Sequence, residues 1–137
     1  MPLKLKKSVM EMVAEANREI ETINAKEAIG RKDDPNLVLV DLRDIRELNR
    51  DGRIPGAFHA PRGMLEFWVD PASPYYKEIF GSGKKFAFFC AGGMRSALAA
   101  QTVQRMGLEP VCHIEGGFRA WKEAGGPVEG GSERAIA

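Results

Sequence analysis

Cysteine is scarce in this chain: two residues in 137, too few for a disulfide scaffold. An excess of one charge is missing too. Twenty Lys and Arg stand against nineteen Asp and Glu, for a net charge of +1. That balance argues against a basic face that would hold nucleic acid, and against an acidic tail. No apolar run approaches the roughly 20 residues that cross a bilayer, so no membrane partner is expected. Near the start, Glu11 and Glu15 interrupt what would have to be the apolar part of a signal peptide. The 15 Gly and 8 Pro are scattered rather than gathered into low-complexity tracts, and there is neither an internal repeat nor a linker. What remains is an ordinary globule, 44% apolar and 28% charged. At this length one core can remove roughly 68% of the unfolded chain's surface from water, so no metal or disulfide staple is required. A cytoplasmic location with reduced thiols is expected.

Periodicity and caps divide the chain. Ser8 and Glu11 form a capping box, and Val9, Val13, Ala16 and Ile20 follow at helical spacing. Asn24 and Glu27 open a second helix that Gly30 stops. The run LVLVDL at 37–42 has no alternation, as in a strand covered on both faces. Asp44 and Glu47 suggest a helix start, AFHA at 57–60 a short strand, and Ser73–Pro74 another helix start. FAFFC at 86–90 and PVCHI at 110–114 read as buried strands. Between them lies the helix RSALAAQTVQRM, with Ala99, Val103 and Met106 on one face and Gly107 at its end. GGFRAWKEAGG makes a loop and a last helix, and the tail from Val128 is expected to be mobile. Strands alternating with helices imply a parallel sheet with helices on both faces, an α/β domain. In such sheets a ligand sits beyond the carboxyl ends of the strands.

Cys90 occupies the sharpest strand-to-helix junction, FAFFC-AGGM-RSALAA. Gly92 and Gly93 allow a tight turn that brings backbone N–H groups round to one point. The helix that follows adds its unpaired N–H groups and the positive end of its dipole. Such a place favours a thiolate, and Arg95 adds a full positive charge. Cys90 with Arg95 therefore reads as an activated nucleophile in an anion cradle, against the plainer reading of a small buried residue ending a strand.

The loop CAGGMRS resembles the C-x-x-G-x-R-S active-site loop of the rhodanese-like sulfurtransferases. Three more segments fit the same family in the right order: VLVDLRD at 38–44, GRIPGAFHAP at 52–61 with Arg53 where His is usual, and HIEGGFRAWKEAGGP at 113–127. The resemblance spans about residues 20–128. It implies a single rhodanese-like domain with a central five-stranded parallel sheet and helices on both faces. To this are added an N-terminal helical extension over residues 1–19 and a flexible C-terminal tail over 129–137. It implies that Cys90 takes a sulfane sulfur as a persulfide and passes it to cyanide, a thiol or an acceptor protein, with thiosulfate or a low-molecular-weight persulfide as donor. Ala91, Gly92, Gly93, Met94 and Ser96 become loop residues that bind the substrate. No metal and no cofactor are implied. The absence of a basic residue in the loop before Arg95 weakens the case for thiosulfate, a dianion.

Other residues carry smaller expectations. Asp41 and Arg43 read as a structural pair, with Asp41 near the cysteine loop. His59 is a candidate for the pocket wall, and Phe67 or Trp68 for a cover over its mouth, although core packing is the default for these aromatics. His59 and His113 with Cys90 and Cys112 lack zinc spacing, and neutral, hydrogen-bonded imidazoles are expected. Cys112, mid-strand, is expected to be buried and inert. Two rival functions share the fold. Cysteine phosphatases and arsenate reductases need a loop that encloses a tetrahedral oxyanion, C-x₅-R in phosphatases; here the spacing is C-x₄-R, and Phe89 precedes the cysteine where phosphatases commonly have His. A non-enzymatic binding or sulfur-carrier module is the third class, disfavoured as a mere binding module because Cys90 is kept.

Overall fold

Strands β1 (Glu21–Ile23), β2 (Leu37–Asp41), β3 (Phe58–His59), β4 (Lys85–Phe89) and β5 (Val111–Ile114) form one sheet in the computed structural model, which describes residues 2–131. All pairings are parallel, in the order β1-β5-β4-β2-β3. The central strands are buried on both faces, which explains their unbroken apolar runs. Successive residues point to opposite faces. Val40, Phe86, Phe88 and Val111 join one core cluster, whereas Leu37, Leu39, Ala87, Phe89, Cys112 and Ile114 join the other.

Helices α1 (Val9–Glu19), α4 (Leu65–Val69) and α5 (Met94–Met106) supply the first cluster; α2 (Ala25–Gly30) and α6 (Gly117–Glu123) supply the second. Between β2 and β3 runs α3 (Ile45–Asp51), capped by the Asp44 side chain. The Ser8–Glu11 capping box is complete, and α1 lays Val13 and Ala16, followed by its C-cap Ile20, into the core against α5. The added helix thus packs on its own domain. Val9, in its first turn, stays exposed.

Two expectations need correction, and one element was not foreseen. No helix starts at Ser73–Pro74. The Ser73 hydroxyl accepts from the N–H of Tyr75, two residues on, at 3.1 Å, and closes a turn instead of capping a helix. The helix of that region lies earlier, at Leu65–Val69, with 3₁₀ turns at Arg62–Met64 and Glu78–Gly81. Met106 is 44% exposed rather than on the packed face of α5; Leu108, beyond the Gly107 cap, packs against that core. Strand β1 was not legible, because Glu21 and Thr22 interrupt any apolar pattern at a sheet edge. Near the C-terminus Glu129 pairs with Arg53 as an isolated bridge and Val128 packs on the second cluster. Residues 132–137 of the expected tail lie outside the described residues. Among the described residues no helix is long and apolar enough to cross a membrane.

Candidate active site

Cys90 follows directly on β4, at the carboxyl end of a central strand, and is 1% exposed. The chain turns at once. Gly93 takes a left-handed φ of 108° and becomes the N-cap of α5, a conformation an L side chain resists. Gly92 is not in that region, so only one of the two loop glycines is demanded by the backbone. The turn brings the Gly93 N–H onto Cys90 Sγ at 3.1 Å. From the first turn of α5 the buried Ser96 faces the same sulfur, its Oγ 3.7 Å away and accepting from the thiol. A sulfur held by a backbone donor at a helix N-terminus is stabilised as an anion.

A second layer fixes the loop from behind. The N–H groups of Phe118 and Arg119 donate to the carbonyls of Cys90 and Ala91 at 2.8 and 3.1 Å. That approach leaves no room for a side chain on Gly117: a Cβ there would collide with the Cys90 carbonyl oxygen. The paired glycines of the E-G-G segment therefore belong to the cysteine loop, a role their position in the sequence does not reveal. Asp41 and Arg43 form a buried ion pair at 2.8 Å. Arg43 also donates to the Gly52 carbonyl at 2.9 Å and stacks 4.0 Å from the centre of the Phe118 ring. The pair thus braces α6 through Arg43. Arg95 makes a two-pronged pair with Glu47 of α3 at 2.9 and 3.2 Å. Glu47 raises its guanidinium above the ordinary arginine range, with Cys90 a smaller contributor. The anion that offsets the charge of Arg95 at the helix start is thus first of all Glu47, which sequence spacing had marked only as a helix-start residue.

These segments coincide with a family. The model described as "Rhodanese-like domain" matches residues 24–124. The chain belongs to the rhodanese-like domain family. It is 32% identical over 105 residues to the Bacillus subtilis protein named "Putative sulfurtransferase YtwF", covering 77% of this chain and 90% of that one. It is 30% identical over 112 residues to the tRNA uridine(34) hydroxylase of Cronobacter sakazakii, but spans 31% of that protein's length. Among solved structures, a protein of unknown function from Rhodopseudomonas palustris, described as a possible tyrosine phosphatase, superposes with a TM-score of 0.91 at 56% identity. The match covers 94% of this chain and 99% of that one. Helix α1 lies outside the residues that the family model matches.

Two cavities flank the rhodanese-like loop. One, of about 350 Å³, lies beside Ala91 and is lined by Arg43, Phe118, Arg119 and Lys122 with Asp51 and Glu123. The other, of about 420 Å³, lies between α1 and the loop, where Asn17, His113 and Glu115 face Gly92, Gly93 and Met94. Asp41 is too buried to line a pocket and acts through Arg43. Other candidates stand apart. His59 Nε2 bonds the Arg43 carbonyl oxygen at 2.7 Å and lines neither cavity. Trp68 meets Phe58 edge-on with ring centres 6.0 Å apart and packs on the first core cluster, whereas Phe67 is exposed and meets the exposed Tyr75 at 6.4 Å; neither lines either cavity. Arg119 and Lys122 were missed; their one-turn spacing in α6 was the available signal. Cys112 is fully buried, and burial pushes its thiol up to about 11. No group of His, Cys, Asp and Glu among the described residues is placed to hold a metal ion.

Proposed function

We propose that this domain is a sulfurtransferase in which Cys90 is the nucleophile and the carrier of sulfur. The observation that carries the reading is the Gly93 N–H aimed at Cys90 Sγ at 3.1 Å, on a loop closed from behind by Gly117. In the first half-reaction the Cys90 thiolate attacks the sulfane sulfur of the donor. A new S–S bond forms at Sγ as the donor's own bond to that sulfur breaks. The electron pair departs on sulfite if the donor is thiosulfate, or on a thiolate if it is a low-molecular-weight persulfide. In the second half-reaction the acceptor, whether cyanide, a thiol or a protein, attacks the outer sulfur and the pair returns to Cys90. Arg119 and Lys122, beside Ala91, supply the positive charge that the loop lacks before Arg95; they favour an anionic donor. The free thiols suit the cytoplasm.

Phosphatase chemistry, suggested by the description of the R. palustris relative, is disfavoured by the short C-x₄-R loop and by the Glu47 clamp on Arg95. Intact mass after incubation with thiosulfate, and separately with glutathione persulfide, tests the reading. The expected result is a gain of one sulfur on Cys90 that cyanide removes, with transfer falling to background in Cys90→Ser. Turnover of an aryl phosphate faster than sulfur transfer, and lost in Cys90→Ser, would overturn it.

A further inference from the structure

One line of hydrogen bonds leaves Cys90 and ends outside the family's matched span. Ser96 Oγ lies 3.7 Å from Cys90 Sγ and 3.0 Å from His113 Nδ1. On its far side, His113 Nε2 lies 2.8 Å from Asn17 Oδ1 in α1. Four residues from three separate parts of the chain thus meet in sequence. Ser96 and His113 are buried, and Asn17 opens to solvent along the cavity between α1 and the loop.

The direction of this line follows from counting donors and acceptors. Asn17 Oδ1 only accepts, so His113 carries its proton on Nε2 and leaves Nδ1 as an acceptor. The other tautomer would set two lone pairs face to face at 2.8 Å. The Ser96 hydroxyl has one proton and two acceptors in reach, the Gly93 carbonyl at 3.2 Å and His113 Nδ1 at 3.0 Å. Donation to the imidazole, the nearer acceptor, completes a one-way order: Cys90 S–H to Ser96 Oγ, Ser96 O–H to His113 Nδ1, His113 Nε2–H to Asn17 Oδ1.

We propose that Ser96, His113 and Asn17 form a proton relay that draws the thiol proton from Cys90, with α1 supplying its outer member. The proposal rests on the reading of Cys90 as the nucleophile. The S–H bond of Cys90 breaks and its proton passes to Ser96 Oγ. Ser96 hands its own proton to His113 Nδ1 and keeps a hydroxyl. The products are the Cys90 thiolate and an imidazolium whose two N–H groups donate to Ser96 and to Asn17. Burial lowers the proton affinity of His113 and keeps it a neutral acceptor before the transfer; Glu115, on its own strand, opposes that effect. From α1 the facing group is Asn17, from α5 Ser96, which stands between His113 and Cys90, and from β1 the register partner Thr22. Among the described residues Glu115 is thus the charged side chain whose field bears on the imidazole. In this account α1 has a chemical duty as well as a packing one, and Asn17 is a positioning residue.

The test is the pH dependence of Cys90 alkylation by iodoacetamide, an uncharged reagent, in the full chain carrying Cys112→Ala. Asn17→Leu removes the acceptor, and the alkylation midpoint should rise by about one pH unit. Asn17→Asp keeps the acceptor and adds a charge that favours the imidazolium, so the midpoint should fall. Ser96→Ala and His113→Gln cut the line and should shift it as Asn17→Leu does. A merely structural Asn17 would alter thermal stability without opposite shifts in the two variants. Superimposed curves, or shifts of the same sign for Asn17→Leu and Asn17→Asp, would overturn the relay. Alkylation needs no sulfur donor. Opposed shifts in a protein that transfers no sulfur would therefore uphold the relay and refute the sulfurtransferase reading.

Discussion

The two cysteines are almost equally hidden, Cys90 at 1% exposure and Cys112 at 0%, yet they occupy opposite kinds of surroundings. Cys112 lies mid-strand in β5 with Ile23, Leu39, Phe89 and Trp121 in the same cluster, and burial is the main cause that pushes its thiol up to about 11. Cys90 sits one residue past the end of β4, where the backbone has left the ladder and its N–H groups are free to turn inward. On the proposed reading of Cys90 as the nucleophile, exposure does not separate the reactive thiol from the inert one. What separates them is position along the strand. In the middle, polar groups are spent on neighbouring strands, whereas at the carboxyl end they are available to a side chain.

The largest expected effect tests that difference directly. With its thiol near 11, Cys112 holds only ~10⁻⁴ of its population as thiolate at neutral pH, against a few per cent for an ordinary cysteine. Iodoacetamide at neutral pH should therefore attach one alkyl group to the native chain, at Cys90, and reach Cys112 only after unfolding. Cys112→Ala should leave sulfur transfer in place. Labelling of Cys112 at a rate comparable to Cys90, mapped by peptide mass, would dissolve the distinction.

Much of this contrast was legible from residue order. FAFFC ending in a Gly-rich turn before a helix located Cys90 at a strand end, and PVCHI put Cys112 inside a strand. Caps read well too: Ser8, Asn24 and Asp44 each bond the start of the helix they precede. Contacts across the chain were not legible. Nothing local links Arg95 to Glu47, 48 positions away, or His113 to Asn17, 96 positions away. Both pairings arise only when α3 and α1 pack beside α5 and β5. Ser73 failed as a helix cap because the same hydroxyl serves equally well in a turn, and local sequence does not decide between the two. The aromatics at Phe67 and Trp68 were drawn to a site mouth by composition, but their partners, Tyr75 and Phe58, hold them elsewhere.

The next effect concerns the backbone that sets Cys90 apart from Cys112. Gly117 has a φ of +57° and lies against the Cys90 carbonyl, so an added methyl meets both a left-handed backbone and a collision. Gly117→Ala should destabilise the fold by at least about 1–2 kcal/mol from the backbone alone, read as a fall in Tm of roughly 5 °C or more. At Gly92 a methyl group would meet nothing within 4 Å, and φ is not left-handed. Gly92→Ala should stay within about 0.5 kcal/mol of the parent. Equal Tm values for the two variants would mean that the α6 N-terminus does not fix the loop.

The smallest effect reaches the residue between the two thiols' territories. His113 neighbours Cys112 in sequence but points to the other face of β5, toward Ser96 and Asn17. Burial lowers its affinity for a proton from the ordinary value of 6.5, with Glu115 opposing. The unfolded chain therefore binds a proton at His113 before the folded chain does. The stability owed to a neutral His113 is fully present above pH 6.5 and is lost as pH falls through the lower folded value. Urea melts of the wild type and His113→Gln should run parallel above pH 7 and converge as the pH drops below 6.5. His59 and the carboxylates remain in both proteins, so the difference between the curves belongs to His113. Parallel curves through that interval would mean that this imidazole takes up its proton equally in the folded and unfolded chains, and that its burial between α1 and α5 has no electrostatic consequence.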